Sequence, residues 1–474
     1  MRKTAPLLLM LGFLLVGTAA FAGNIDYLSN QSVEYLMNFS RNGATDAADI
    51  ATYNPAGLVF LPKDGMYINS SYQYIYLRFS ESYRGQRFEQ DQPNPIPALF
   101  TVYKKDNLAA FFAINITAGG GWVRWKEGNA TTAQLIGLTG FGASQGAGAA
   151  IAQATSGAIT NGGGTGATMV NESNVEGFSC YTGIMAGLAY KLNDKISVSA
   201  APRYIIAERK GGAFADFTMD AFNDAVDSSL GQPGTAFDGN ETRAVVDDNF
   251  DYNARGLGGV FGIDIKPLDN LNFGIRYETV TKLNFKYSVN RRDVQVTGPD
   301  PTLNAMLDAQ LTGVLAGLDK DGETIRYDLP AVLGVGVDFA VTPDFHLLSS
   351  ANYYFIETAV WEDVPSSDVT NGWEVSVGTT FKPVPRLKVG AGYQYTVQGE
   401  KIDALSNENP GLNSHAFALG FAFAATPNLD LKFSTVHTRY IDESSTHGDG
   451  DDEEVDYRKA AYDLCAGFEY RFDL

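Results

Sequence analysis

Few residues of this 474-residue chain combine the types and the spacing that catalysis or metal binding requires. The four histidines, His346, His415, His437 and His447, are dispersed, and none has a cysteine or carboxylate companion at zinc-binding spacing. The glycine-rich residues 161–166 are not followed by the Gly-Lys-Ser/Thr sequence of a phosphate-binding loop. No motif places a nucleophile beside a base. We therefore expect no enzyme activity, no bound metal and no cofactor.

The charge balance of the chain is strongly acidic. Asp and Glu outnumber Lys and Arg by 55 to 35, which gives a formal net charge of −20 at pH 7. This balance argues against a nucleic-acid partner, because the phosphate backbone is itself negative. Residues 449–456 are rich in carboxylates, the ligands that Ca²⁺ prefers, but their spacing is not that of an EF-hand loop. We interpret this run as a solvated loop.

The N-terminus has the pattern of a secretory signal peptide. Arg2 and Lys3 precede an apolar stretch, and residues 20–22 (Ala-Phe-Ala) match the small-residue site of a signal peptidase. We therefore assign residues 1–22 to the signal peptide. No later segment approaches the roughly 18 consecutive apolar residues that a membrane-spanning helix needs. The mature chain is then either a soluble secreted protein or a β-barrel in a membrane.

Six short polar turns separate segments of alternating hydrophobicity. Asp and Asn favour such turns because their side chains bond back to the local backbone, and Pro cannot continue a central strand. The turns lie at residues 105–107, 193–195, 267–270, 342–344, 382–385 and 426–428. Each turn joins two strands. With a first strand around residues 65–80 and a last one around residues 456–473, the pattern predicts 14 strands.

The last predicted strand shows the alternation most clearly. Its two faces read Tyr462, Leu464, Ala466, Phe468, Tyr470, Phe472 and Leu474 against Asp463, Cys465, Gly467, Glu469, Arg471 and Asp473. A soluble sandwich also permits such a strand. Apolar-out, polar-in segments of about ten residues and an aromatic C-terminal strand favour a barrel in lipid. We predict an all-β, 14-stranded antiparallel transmembrane barrel over residues 63–474.

The loop lengths predict the orientation of that barrel. An even number of strands places both termini on the side of the short turns, which is the periplasmic side in outer-membrane barrels of Gram-negative bacteria. The longer segments then lie on the extracellular side, at residues 126–172, 211–243, 291–324 and 445–455. Outer-membrane lipid and lipopolysaccharide are the expected surroundings. We expect a monomer.

A polar, helix-like stretch precedes the first strand and contains the motif Asn54-Pro55-Ala56-Gly57. In sequence and position it resembles the hatch segment of the FadL-type family of outer-membrane transporters, in which a Gly/Ala/Asp-rich piece leads to Asn-Pro-Ala just before strand one. A 14-stranded barrel also has a wide lumen that leaks unless something fills it. We therefore predict that residues 23–62 form an N-terminal hatch that plugs the barrel.

The resemblance implies a function. Family members take up long-chain fatty acids or aromatic and other hydrocarbons passively, and are thought to release them sideways where the third strand kinks. The third predicted strand, residues 108–125, contains Gly119, Gly120 and Gly121, and glycine weakens strand pairing and permits a bulge. The same glycines are equally compatible with a strand that simply ends at the outer loop.

Apolar residues in the long loops suggest where ligand is first captured. Asp300 and Pro301 open a predicted helix with leucines at a period near 3.6, including Leu307 and Leu311. The preceding loop carries Phe217 and Phe222. These side chains form either a hydrophobic groove for ligand or a mutually packed lid over the barrel mouth.

The resulting candidate ligand-binding residues are Tyr35, Leu36, Phe39, Ile50, Tyr53, Leu58, Phe217, Phe222, Leu307 and Leu311. Inward-facing Arg203, Arg276 or Lys388 are candidates to meet a carboxylate head group. Two other functions stay open: a surface adhesin that uses the barrel only as an anchor, and a non-selective porin.

Overall fold

The computed structural model describes residues 32–154, 165–220, 241–317, 320–362, 364–401, 405, 407–445 and 454–473. The predicted signal peptide, the first nine residues of the predicted hatch, the candidate residue Phe222 and most of the acidic run lie outside these ranges.

The described chain is mainly antiparallel strand. The segments are β1 (Gly65–Tyr83), β2 (Gln86–Lys105), β3 (Leu108–Trp125), β4 (Thr168–Asn193), β5 (Ile196–Met219), β6 (Thr242–Leu268), β7 (Leu271–Glu278), β8 (Asn284–Thr297), β9 (Thr324–Arg326), β10 (Val332–Thr342), β11 (Phe345–Tyr354), β12 (Gly372–Val384), β13 (Leu387–Val397), β14 (Ser414–Thr426), β15 (Leu429–Tyr440), β16 (Glu443–Ser445) and β17 (Val455–Phe472). Three segments continue a neighbour: β8 follows β7 along β6, β10 follows β9, and β16 follows β15 along β17. The wall therefore has 14 strands.

The barrel closes where the first strand meets the last. β1 pairs with β17 without a register shift from Met66–Phe472 to Tyr83–Val455, so this junction leaves no free sheet edge. All six predicted turns connect consecutive strands, the first between β2 and β3 and the last between β14 and β15. The prediction of a closed 14-stranded barrel is confirmed.

The outer face of the barrel is apolar. Leucine, isoleucine, valine and phenylalanine side chains point outward and are exposed on nearly every strand, with Leu257 at 68% and Leu419 at 61% of their possible exposure. Such a surface is stable only against lipid. No helix within the described residues is long and apolar enough to cross a membrane.

The helices lie in the N-terminal segment, ahead of the first strand, and in the long loops. The N-terminal segment holds two single turns, α1 (Tyr35–Asn38) and α2 (Ile50–Tyr53), and a 3₁₀ helix, Pro55–Phe60. The long loops carry α3 (Ala130–Ala154) and α4 (Pro301–Gly317).

The start of α4 agrees with its sequence signals. The Asp300 carboxylate accepts hydrogen bonds from the amides of Thr302 at 2.7 Å and Leu303 at 3.3 Å, and Pro301 occupies the first helical position.

Residues 32–61, hereafter the lumen segment, are nearly all buried within the barrel. Inward-facing glycines of the wall make room for them. A Cβ atom added at Gly378 on β12 or at Gly392 on β13 would overlap the backbone of Asn38. The chain contains 50 glycines, and those that face the lumen let a whole chain segment pass beside the wall at backbone distance.

Candidate functional site

A cavity of about 120 Å³ lies between the lumen segment and the barrel wall. Its walls come from β1, β4, β13, β14, β15 and β17, with apolar side chains Ile75, Leu77, Val436 and Ala461 among them. One end is formed by the lumen segment and the other by β3.

The lumen-segment end of the cavity is aromatic. Tyr35, Leu36 and Phe39 line it. Phe39 has a φ of 61° and closes α1 with an amide hydrogen bond to the carbonyl of Tyr35. The Tyr35 ring stacks on Tyr53 at 5.3 Å between centroids and meets Phe39 edge-on at 5.6 Å. These contacts hold the apolar end in a fixed shape.

The Tyr35 hydroxyl is the polar group of this end. It accepts a hydrogen bond of 2.6 Å from the side-chain amide of Gln394, which also lines the cavity. Burial raises the pKa of Tyr35 well above its ordinary value. The hydroxyl therefore stays neutral.

The predicted residues Ile50 and Leu58 lie elsewhere. Both are fully buried in an apolar cluster with Phe100, Phe111 and Met185 of the wall, on the short-turn side. Tyr53 reaches the cavity only through its stacking on Tyr35, since it is absent from the lining.

The motif Asn54-Pro55-Ala56-Gly57 ties the lumen segment to β5 and β6. The Asn54 amide donates to the carbonyl of Asn42 at 3.2 Å and to the carboxylate of Asp264 at 3.1 Å. Pro55 begins the 3₁₀ helix, and the carbonyl of Ala56 accepts from the Ser197 hydroxyl at 2.7 Å. A Cβ atom at Gly57 would stand 2.9 Å from the carbonyl oxygen of Ala44. The motif therefore acts as an anchor in the fold.

Charged groups hold the lumen segment as well. The Arg41 guanidinium contacts Asp49 at 2.6 and 2.9 Å and Asp46 at 2.8 Å, and Asp46 reaches Lys388 of the wall at 2.9 Å. Glu34 pairs with Lys432 on β15. Burial raises the pKa of Asp49 to about 6, against the lowering effect of Arg41. Burial acts on Asp46 too, but Arg41 and Lys388 hold its pKa well below the usual range.

The three cations predicted to meet a carboxylate head group have protein partners. Arg203 and Arg276 both pair with Glu278, Arg276 at 3.3 Å, and Lys388 pairs with Asp46. Within the part of the chain that the structure describes, Lys459 is the one basic residue of the cavity lining. Its ammonium donates to the side chain of Asn409 at 2.6 Å. Extending the inward face of the last strand from Asp463 back by four residues would have identified it.

The opposite end of the cavity lies where β3 departs from regular pairing. Gly119 and Gly121 have φ angles of 83° and 91°, a region that favours glycine. Between the pairs Ile116–Thr182 and Gly121–Ser179, β3 contains two more residues than β4, and its register shifts twice. Gly120 and Gly121 line the cavity. The extra residues therefore bulge at the cavity end.

The neighbouring edge of β2 is also unpaired. In the described chain, backbone pairing between β2 and β3 ends at Leu99–Ile114, whereas β2 continues to pair with β1 as far as Gln86. Alternate positions of this stretch are Pro93, Pro95 and Pro97. Amides of alternate residues point to the same neighbour. The β1–β2 ladder is unbroken, so the amide hydrogens that these prolines lack are the ones that would otherwise donate to β3.

We call this unpaired stretch between β2 and β3 the lateral gap. A strand that contains three alternate prolines cannot pair on both sides, so the sequence Pro-Asn-Pro-Ile-Pro is a signal for it that the turn pattern does not provide.

The long-loop helices form a separate apolar cluster. Phe217, Leu307 and Leu311 are almost completely buried against one another, together with Ile136 of α3 and Val246 of β6. A second, smaller cavity of about 30 Å³ lies beside this cluster, but none of these three predicted residues lines it or the larger cavity.

Comparison with solved structures supports the fold. A FadL homologue from Pseudomonas aeruginosa superposes with a TM-score of 0.60 at 15% identity, covering 93% of this chain and 98% of that one. The toluene transporter TodX of P. putida gives 0.58 at 13%, covering 93% and 100%. The Ralstonia pickettii toluene transporter TbuX gives 0.54 at 12%, covering 92% and 99%.

Comparison with curated protein sequences finds no match. The sequence model of one family, described as outer membrane protein transport protein (OMPP1/FadL/TodX), matches residues 13–472, which is nearly the whole chain. With the closed barrel, its buried lumen segment and the Asn-Pro-Ala anchor, the chain belongs to the OMPP1/FadL/TodX family of outer-membrane transport proteins.

Proposed function

We propose that this protein takes up hydrophobic molecules passively, and that they pass from the long-loop side into the cavity and leave sideways through the lateral gap into the bilayer. The observation that carries the proposal is the extent of the cavity. It reaches from Tyr35 and Phe39 on the lumen segment to Gly120 and Gly121 beside the unpaired edge. Family membership supports transport over adhesion or a non-selective porin.

The lumen segment blocks a direct route along the barrel axis, and this favours a lateral exit. The lumen segment is buried inside the barrel and tied to different strands of the wall by Asn54, Asp46 and Glu34. A ligand that moves straight through would have to displace all of these contacts. Each methylene buried in an apolar site contributes about 0.8 kcal/mol, so a hydrophobic ligand is favoured in the cavity and in the bilayer alike. No energy source is required.

The substrate class that we propose is long-chain fatty acids or aromatic hydrocarbons. Two of the similar structures are toluene transporters, and a third is a FadL homologue. In this chain the apolar lining suits either class. Lys459 adds a cation to the wall, which favours a ligand with a carboxylate.

The domain organisation that we propose has a signal peptide over residues 1–22, a hatch over 23–62 and a monomeric barrel over 63–474. Short turns face the periplasm, and the long loops face outward among lipopolysaccharide. Phe217, Leu307 and Leu311 would form the floor of a first capture site if α3 and α4 separate. The protein acts as a transporter and catalyses no reaction.

Two measurements test the proposal. Mass spectrometry of ligand extracted from the purified protein identifies what the cavity retains. Uptake is measured in vesicles whose outer leaflet is lipopolysaccharide, with oleate, toluene and sucrose as probes. Compared with vesicles that lack the protein, we expect faster entry of oleate or toluene and unchanged entry of sucrose. Faster sucrose entry, together with a large ion conductance in planar bilayers, would instead indicate a porin.

A further inference from the structure

One side chain crosses the lateral gap. The carboxamide of Asn94 on β2 donates from Nδ2 to the carbonyl oxygen of Trp122 on β3 at 2.9 Å, and its Oδ1 accepts from the Trp122 amide at 2.8 Å. Asn94 is 3% exposed. The side-chain amide thus takes the place that a paired backbone residue would have taken.

The residues around Asn94 favour this side-chain contact over a backbone hydrogen bond between the two strands. Pro93 and Pro95 on either side have no amide hydrogen, so the adjacent backbone cannot donate across the gap. On the other strand, a Cβ atom at Gly121 would stand 2.7 Å from the side-chain carbon of Asn94 that bears the amide. Asn94 can reach Trp122 because position 121 is glycine. The prolines of β2, Asn94 between them and Gly121 of β3 therefore all contribute to one contact.

Trp122 itself is fixed from its other side. Its ring lies 4.9 Å from that of Phe178 on β4, and the Arg124 guanidinium stacks over it at 4.1 Å. Trp122 also pairs with Phe178 through the backbone. A rotation of the Asn94 side chain would release both hydrogen bonds across the gap, and the ladders on either side would stay intact. Asn94 is the movable partner.

We propose that Asn94 is a latch that holds the lateral gap closed against Trp122 and whose release sets the rate at which ligand leaves the cavity. It lines the cavity beside Gly121 and Trp122, so a ligand that arrives at this end meets it directly. Asn94 is a positioning residue, because it acts by holding the two strands together. This inference rests on the proposed lateral route and adds the element that controls it.

The first test removes the latch. Oleate-loaded protein in detergent is mixed with phospholipid vesicles, and the transfer of oleate is followed over time. Asn94→Leu keeps a similar volume and removes both hydrogen bonds, so we expect oleate to leave roughly five times faster, which corresponds to weakening the contact by about one net hydrogen bond.

Gln90→Leu is the matched control for this change. Gln90 lies on the same face of β2 and is 2% exposed, and neither of its side-chain amide atoms has a hydrogen-bond partner among the described residues. We expect it to release oleate at the wild-type rate.

The second test closes the latch covalently. The two natural cysteines, Cys180 and Cys465, are free and are first replaced by serine. An ideal Cβ atom at position 121 lies 3.1 Å from the Cβ of Asn94, so the two strands have to move apart by only a few tenths of an ångström to reach the 3.5–4.5 Å of a disulfide. In the Asn94→Cys, Gly121→Cys variant we expect the oxidised form to release oleate at least tenfold more slowly than the wild type, and the reduced form, which lacks the latch, to release it faster than the wild type. If Asn94 had only a structural role, removing its side chain and forming the disulfide would not change the release rate in opposite directions, and reduction would not reverse the effect of the disulfide.

The outcomes separate the latch from the transport route. Wild-type protein that binds neither oleate nor toluene, or releases neither to vesicles, would overturn the proposed function and the latch with it. Wild-type release that Asn94→Leu leaves unchanged would overturn the latch alone. A verified disulfide that leaves release unchanged would overturn both the latch and the lateral route, because the gap would then not be the exit.

Discussion

Gly274 on β7 and Asn42 in the lumen segment approach so closely that a Cβ atom at position 274 would overlap the carbonyl oxygen of Asn42. The same asparagine donates from its side chain to the carbonyl of Val335 at 3.2 Å and to the side chain of Asn352 at 3.0 Å. The lumen segment therefore fits the wall through a glycine on one strand and hydrogen bonds to the next two.

Gly274→Val should displace the lumen segment without unfolding the barrel. Overpacking of this kind costs about 1–3 kcal/mol, and the segment yields more easily than a closed wall. We expect ion conductance in planar bilayers to rise and protease to cleave within residues 32–61. Gly313→Val is the control, because a side chain there meets only open space. Equal conductance of the two variants would show that the wall does not set the position of the segment.

Asn54→Ala should loosen the anchor between the lumen segment and β6. The change removes the donor to Asn42 and Asp264 and leaves a buried acceptor with fewer partners, at a cost of about 1–3 kcal/mol. Hydrogen exchange of amides in residues 50–58 should become faster. Asn107→Ala, in an exposed turn, should leave that exchange unchanged. Unchanged exchange in Asn54→Ala would mean that Pro55 and the apolar contacts suffice.

The attachment of the lumen segment should depend on pH through Asp49. Its pKa is raised to about 6 in the folded protein, mainly by burial, against an unfolded value near 3.8. The folded state therefore binds this proton more tightly, and its contribution to stability falls as pH rises from about 4 to 6. Asp46 has a lowered pKa, so its contribution is lost only as pH falls below about 4.

This pH dependence can be measured by hydrogen exchange of the lumen segment between pH 4 and 7, corrected for intrinsic exchange. We expect protection to decrease over that range in the wild type. Asp49→Asn, which cannot ionise, should remove the slope even though its bonds to Arg41 become weaker. A slope that persists in the variant would point to another group.

Lys459→Met should distinguish the two proposed ligand classes. Loss of a charge-assisted hydrogen bond to a carboxylate should weaken oleate binding roughly tenfold at pH 8, whereas toluene binding should change less than about twofold. Equilibrium binding of the two radiolabelled probes provides the measurement. Arg458→Met, one residue away on the exposed face, is the matched control. Equal losses for both probes would mean that Lys459 shapes the cavity but does not recognise a head group.

The sequence predicted part of the candidate site. Tyr35, Leu36 and Phe39 line the cavity, and Gly120 and Gly121 stand at its other end, although their contact with ligand stays a prediction. Ile50 and Leu58 are equally apolar and lie close to these residues in the chain, yet they pack against the wall. Composition cannot separate the two groups, because the lumen segment is buried on all sides.

The strand count, the six turns and the start of α4 were readable from the sequence because they depend on residues that are neighbours in the chain: a period of two, a turn residue, an Asp-Pro pair. The pairing of Arg203 and Arg276 with Glu278, the seat of Asn42 beside Gly274 and the bridge from Asn94 to Trp122 were decided by the tertiary structure. Each joins groups from different strands or segments whose distance is set only when the barrel closes around its own N-terminus. The face of a strand on which a side chain lies depends on the local sequence, whereas the partner that it contacts there depends on the whole fold.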